Sequence, residues 1–147
     1  TYLFYPTALF ETDNRKPIAY ISLCNDCIQL TRGQRKNELK CFFKAAIKKG
    51  LPYEKQRLHS FPAVKIARLG VQKEYCRGGI GTHLLNMVKR MFLTENRTGC
   101  KFLTVDAYNK EETLNFYLKN QFDFLWDKKK EDPTRIMWFD LSRFNVA

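Results

Sequence analysis

The stretch "VQKEYCRGGIGTHLLNMVKRMF", Val71 to Phe92, sets Gly78, Gly79 and Gly81 at the start of a helical pattern. Each glycine costs about 0.5–1 kcal/mol relative to alanine inside a helix. An anion held at this point would account for the loss. The first amides of a helix lack intrahelical acceptors, the helix dipole is positive there, and glycine lets a bulky phosphate approach the main chain.

Two phosphate-binding plans fit poorly. A nucleotide P-loop needs a lysine directly after its last glycine, and Thr82 follows Gly81. A dinucleotide loop finds an echo in Gly79-x-Gly81 and in a following strand that carries Asp106. Its third glycine is replaced by Leu84, however, and "QKEYCR" intervenes between the strand end and the loop. That reading stays open as a minor alternative.

Other reactive residues carry less. The five cysteines, Cys24, Cys27, Cys41, Cys76 and Cys100, are odd in number and scattered, as expected of reduced thiols. Cys24 and Cys27 have zinc-like spacing without a second pair, so no metal is expected. Lys and Arg number 26 against 15 Asp and Glu, a net charge of +11. Such a surplus favours polyanionic partners such as nucleic acid or nucleotide phosphates. No apolar run reaches membrane-spanning length and no signal-peptide plan opens the chain, so the cytoplasm is the expected compartment, with no membrane partner.

The elements that must position the loop follow from periodicity. Tyr2 to Tyr5 and Pro17 to Cys24 read as an antiparallel hairpin. Gln34 to Lys49 reads as a helix stopped by Gly50 and Pro52, with Lys36, Lys40, Lys44 and Lys48 in a stripe. Ala63 to Val71 is apolar enough for a strand buried on both faces. The helix after the glycines presents Ile80, Leu84, Leu85, Val88 and Phe92 on one side and Thr82, His83, Asn86, Lys89 and Arg90 on the other. "KFLTVDAY" is a second interior strand, and Asn109 with Glu112 reads as a capping box opening a helix through Leu114, Tyr117 and Leu118. "FDFLW" and "IMWFDL" close the chain as strands. The sum is one α+β domain over residues 1–147. Because the chain starts without Met and runs at once into strand-like residues, an upstream segment is expected to be missing.

"RLGVQKEYCRGGIGTHLL" followed by "FLTVDAYNKEETLNFYLKNQF" resembles the GCN5-related N-acetyltransferase family over most of the chain. The resemblance implies a mixed, mostly antiparallel sheet with two central splayed parallel strands, flanked by helices, and acetyl-CoA as acyl donor. The family signature [Q/R]-x-x-G-x-[G/A] falls on Cys76 to Gly81. It implies that Gly79, Ile80 and Gly81, with Arg77, Gly78 and Thr82, hold the pyrophosphate. Leu69 and Val71 would meet the pantetheine arm, for which Gly70 leaves room, and Asn109 would also contact the cofactor. The resemblance also implies, through its N-x7-Y motif, that Tyr117 is the acid that protonates the departing thiolate, only modestly uphill from a phenol pKa near 10. On the residues alone Tyr117 reads as a core aromatic between Leu114 and Leu118. Two positions depart from the pattern. Cys76 stands where Gln or Arg is usual, and Gln121 stands where glycine ends the helix.

No general base declares itself among Glu54, Glu74 and Asp106. An α-amine, far more often neutral at pH 7 than a lysine amine, needs less base and fits slightly better. "FPAVKIARLGV" and the basic charge also resemble the acetyltransferase toxins of bacterial toxin-antitoxin pairs, which acetylate aminoacyl-tRNA. Partners implied are acyl-CoA, an amine acceptor such as charged tRNA, an antitoxin protein and a second copy in a homodimer. Small-molecule or protein amines are the alternative acceptors. A non-catalytic module that binds CoA or RNA is the alternative of another class.

Overall fold

A computed structural model describes residues 1–6, 16–29, 60–94, 98–125 and 132–144. The apolar runs form a six-stranded sheet whose strands are β1 (Tyr2–Phe4), β2 (Ala19–Gln29), β3 (Ser60–Val71), β4 (Phe102–Tyr108), β5 (Asp123–Phe124) and β6 (Thr134–Asp140). Their spatial order is β1-β2-β3-β4-β6-β5. Every pairing is antiparallel except that of β3 with β4. Two α-helices, α1 (Ile80–Thr94) and α2 (Glu111–Lys119), follow β3 and β4 respectively. The α+β architecture expected from the sequence is therefore present. The predicted helix over 34–49, with its lysine stripe, and Glu54 lie outside the described residues.

Alternation along the strands divides the sheet into two faces. On one, Val64, Ile66, Leu103, Val105, Met137 and Phe139 pack with Leu84, Leu85 and Val88 of α1 and Tyr117 of α2 in a single core. On the other, Phe102 makes edge-on contacts with Phe61 and Trp138 at ring separations of 6.1 and 5.7 Å. Beside them lie Lys65, Thr104, Asp26 and Asp106. The parallel pairing joins only Ala63–Ile66 to Phe102–Val105. Beyond it β3 runs on to Val71 and β4 to Tyr108 without pairing to each other, so the two central strands splay.

Two local expectations are corrected, and the departure at Gln121 leaves the helix end intact. Lys89, assigned to the polar side of α1, is buried at 2% exposure. Its Nζ donates to the Asn120 carbonyl at 2.8 Å and lies 4.1 Å from the centre of the Phe139 ring. Burial first, and then the neighbouring Arg143, lower its pKa to about 8. Asn109 does not cap α2. The cap position is Lys110, with no side-chain cap, while Asn109 Nδ2 donates to the Asp132 carbonyl at 2.8 Å. The difference follows from tertiary context: the loop before β6 runs beside the helix start and takes the amide.

Gln121, finally, does adopt the left-handed helix end, at φ 68°. The Phe122 amide closes onto the Tyr117 carbonyl at 3.0 Å, as at a glycine-terminated helix. A side chain in this region costs about 1–2 kcal/mol. Lys89 on the Asn120 carbonyl and Arg143 on the Gln121 carbonyl offset that cost. Arg143 also pairs with Asp123 at 2.6 Å.

Candidate active site

The site begins where β3 ends. A 3-10 turn over Lys73–Tyr75 carries the chain to Cys76, and two left-handed residues follow, Arg77 at φ 66° and Gly79 at φ 83°. A left-handed arginine is unusual and marks local strain of the kind found at ligand clamps. The geometry leaves the amides of Arg77 to Thr82 without an acceptor among the described residues; the first bonded amide is His83, on the Gly79 carbonyl at 3.0 Å. No acidic side chain lies in the first turn of α1. A row of unpaired N–H groups at a positive helix end is an anion cradle.

The three glycines serve different ends. Gly79 is required by its backbone angle, and nothing lies within 4 Å of where a side chain would start. Gly81 is favoured by packing, since a Cβ there would lie 3.0 Å from the Phe116 ring, which would have to shift by a few tenths of an ångström. Gly78 meets only the Tyr75 carbonyl at 3.6 Å, an ordinary contact. Gly70 departs from expectation. A Cβ there would fall 2.4 Å from the ring of Tyr20, so the vacancy is filled by this chain's own side chain.

Beside the cradle lies a cavity of about 320 Å³, walled by Leu69, Val71, Tyr75, Cys76, Arg77, Ile80 and Gly81 on one side and by Glu112, Thr113, Phe116 and Tyr117 of α2 on the other. Cys76 is exposed on this wall, and its thiol faces the Val71 carbonyl at 3.6 Å. A second cavity of about 510 Å³ fills the gap between the splayed strands, with Tyr20, Ile66, Arg68, Leu69, Asp106, Tyr108 and Thr113 among its lining. Tyr117 borders both.

Tyr117 is 6% exposed, and its ring packs edge-on against Phe116 and Phe122 at 5.1 and 5.5 Å. Its hydroxyl has no hydrogen-bond partner among the described residues. Burial pushes its pKa up to about 12, so the phenol stays protonated across the physiological range. Against a thiol near 8.5, proton transfer from it is roughly 5 kcal/mol uphill, more than the sequence implied. A thiolate generated in the same buried gap is destabilised by the same desolvation, which narrows the difference.

The residues singled out from the sequence are therefore distributed unevenly. Leu69, Val71, Arg77, Ile80, Gly81 and Tyr117 wall the first cavity. Gly78, Gly79 and Thr82 offer amides of the cradle without walling it. Asn109 borders neither cavity and is tied to Asp132. Thr113 escaped the sequence reading, and Phe116 entered it only as part of the resemblance and not as a wall of the site, although the interval of one helical turn from Phe116 back to Thr113 and Glu112 put them on a shared face.

Solved structures share this arrangement of strands and helices. The fold is that of the GCN5-related N-acetyltransferases. A mutant of the toxin AtaT, bound to acetyl-CoA and the C-terminus of the antitoxin AtaR, superposes with a TM-score of 0.60 at 17% identity, covering 89% of this chain and 63% of that one. A mutant of KacT gives 0.63 at 19% identity, over 89% and 66% of the two chains. AtaT complexed with acetyl-methionyl-tRNAfMet gives 0.60 at 23%, over 90% and 67%. The chain thus spans less than two-thirds of the AtaT length in the first of these comparisons. No protein-family model and no curated protein sequence matches it. On this fold the helix that begins at the glycine loop packs on the same face of the sheet as Tyr117, which borders the gap between β3 and β4.

Proposed function

We propose that the protein is an acetyl-CoA dependent N-acetyltransferase whose acceptor is the α-amine of aminoacyl-tRNA. The observation that carries the reading is a juxtaposition. Six amides, Arg77 to Thr82, without an acceptor among the described residues open beside a cavity walled in part by Tyr117, whose hydroxyl has no partner among the described residues. The amides and the Arg77 side chain would hold the pyrophosphate, and the free edge of β3 at Leu69 and Val71 would meet the pantetheine arm. Tyr117 would deliver its proton to the sulfur as the carbon–sulfur bond breaks. Acetyl-CoA supplies the activated acyl group, and a phenol that stays protonated at neutral pH is in the correct state to act as acid.

The acceptor assignment draws on the +11 net charge, which favours a polyanion, and on likeness to a toxin solved with an acetylated aminoacyl-tRNA. By the same likeness to a toxin bound by its antitoxin, a protein antitoxin is the regulatory partner to look for. The cytoplasm is the compartment this substrate requires; among the described residues no helix is long and apolar enough to cross a membrane.

The test is to incubate the protein with labelled acetyl-CoA, total charged tRNA and a polyamine mixture, and to follow the label. Label on the aminoacyl group of tRNA is the expected result. Label on polyamines alone overturns the acceptor. Acetyl-CoA binding with no transfer to any amine overturns catalysis.

A further inference from the structure

The face of the sheet opposite the helices carries an ionic cluster at the mouth of the gap. Val105 and Ala107 point into the core, so Thr104, Asp106 and Tyr108 point the other way. Lys65 on β3 lies 3.1 Å from Asp106 Oδ2 and 3.6 Å from Asp26 Oδ2. Burial opposes its charge, but Asp106 and then Asp26 outweigh that and hold its pKa above the ordinary lysine value. Asp26 is further satisfied by the Thr104 hydroxyl. Two carboxylates thus share one ammonium, and the cluster keeps one negative charge. Arg68 lines the same cavity without an ion pair to either carboxylate.

Asp106 is the carboxylate that reaches the cavity between the splayed strands, and its side chain keeps 44% exposure there. Tyr117, 6% exposed and with no hydroxyl partner among the described residues, lines the same cavity. Asp106, on the strand face turned away from the core, and Tyr117, packed within it, therefore line one space. We infer that Asp106 forms a subsite for the ammonium group of the acceptor, which enters from the face opposite the cofactor cradle, with Lys65 fixing the carboxylate's orientation. The inference rests on the acyltransfer reading for its meaning, though not for its measurement. Asp106 is here a binding and specificity residue: a charge-assisted hydrogen bond to its carboxylate captures the α-amine as its ammonium in preference to neutral nucleophiles. The nitrogen attacks only after that ammonium has released one proton to solvent through the open side of the cavity.

Methioninamide, a small α-amine, and hydroxylamine, uncharged at neutral pH, serve as probes. Asp106→Asn keeps shape and removes charge. It is expected to raise the KM for methioninamide about 10- to 100-fold. The KM for acetyl-CoA and kcat/KM with hydroxylamine are expected to stay within about twofold, and Asp106→Glu to recover much of the loss. Equal losses with both nucleophiles, or no change with methioninamide, overturn the subsite. Calorimetric binding of methioninamide to the CoA-loaded protein gives a readout independent of turnover. Binding weakened by Asp106→Asn in a protein that never transfers acetyl supports the subsite while refuting acyltransfer. Binding that is undetectable in the wild type, or equal in the two proteins, refutes the subsite even where transfer to tRNA occurs.

Discussion

Replacing Tyr117 with phenylalanine should move activity and stability in opposite directions. The ring contacts with Phe116 and Phe122, at 5.1 and 5.5 Å, are available to either side chain. Only the hydroxyl is lost. It is part of a side chain 6% exposed and has no hydrogen-bond partner among the described residues, so no protein group is orphaned by its removal. A buried hydroxyl without a partner costs about 1–3 kcal/mol, and most of that should be recovered. For a chain of this size each kcal/mol is about 2–4 °C in Tm, so a rise of several degrees is expected without ligand. Catalysis loses its acid, worth about 10²- to 10⁴-fold in kcat, or roughly 3–5 kcal/mol of barrier. Acetyl-CoA affinity should change by less than about twofold. Scanning calorimetry and initial rates on the same preparations give both numbers. A variant that is less stable and inactive in proportion would mean that the hydroxyl is structural, and normal turnover would remove it from the chemistry.

Three further outcomes follow from the geometry. Gly79→Ala should lose about 1–2 kcal/mol of stability through its positive φ and weaken acetyl-CoA binding, whereas Gly78→Ala, with only an ordinary contact nearby, should be close to neutral in both; paired denaturation and binding titrations check this. Gly70→Ala should cost about 1–3 kcal/mol by pushing the Tyr20 ring aside, and Tyr20→Ala in the same chain should recover much of that, a non-additivity that a double-mutant cycle in urea would show. Lys89, with its folded pKa lowered to about 8 from 10.5, binds fewer protons folded than unfolded between those values. Its contribution to stability is thus complete above the upper pKa and lost as pH falls through the lower. Wild-type stability should gain about 3 kcal/mol from this group over that window, and Lys89→Met should flatten the slope in denaturation measured from pH 8 to 10.

The cradle was legible from sequence because unusual backbone angles and close approaches write themselves as glycine, the first at Gly79 and the second at Gly81. The strand β4 was legible because burial on two faces over Phe102–Val105 demands a near-continuous apolar run. By contrast β3, expected to be buried on both faces from Ala63 to Val71, is exposed at Ala67 and Arg68 and half-buried beyond, where it lines the gap. Gly70 misled because a glycine records that space is needed and not what fills it; the ring of Tyr20, fifty residues earlier in the chain, does so. Lys89 misled because helical periodicity sorts by polarity, whereas its ammonium is satisfied by a carbonyl and three aromatic faces brought there by α2, β6 and the chain's last described turn. Asp106 could be named from sequence only as one of three carboxylates. Its selection needed the splay, which is a property of pairing and leaves no mark in residue type.

The clamp that Lys89 and Arg143 form on the end of α2 also bears on how ligands are accommodated. Lys89 belongs to the helix that begins at the anion cradle, and the carbonyls it and Arg143 grip belong to the turn that ends the helix of Tyr117. Lys89 thus bolts the two walls of the first cavity together at their far ends, through the core, while Arg143, from the chain's last described turn, holds the same end of α2. Such a frame fixes the width of the opening before anything enters, so entropy that closure would otherwise consume is already spent in folding. Loosening that end of α2 by substitution at Arg143, remote from either cavity, should therefore register as weaker ligand capture rather than as altered chemistry.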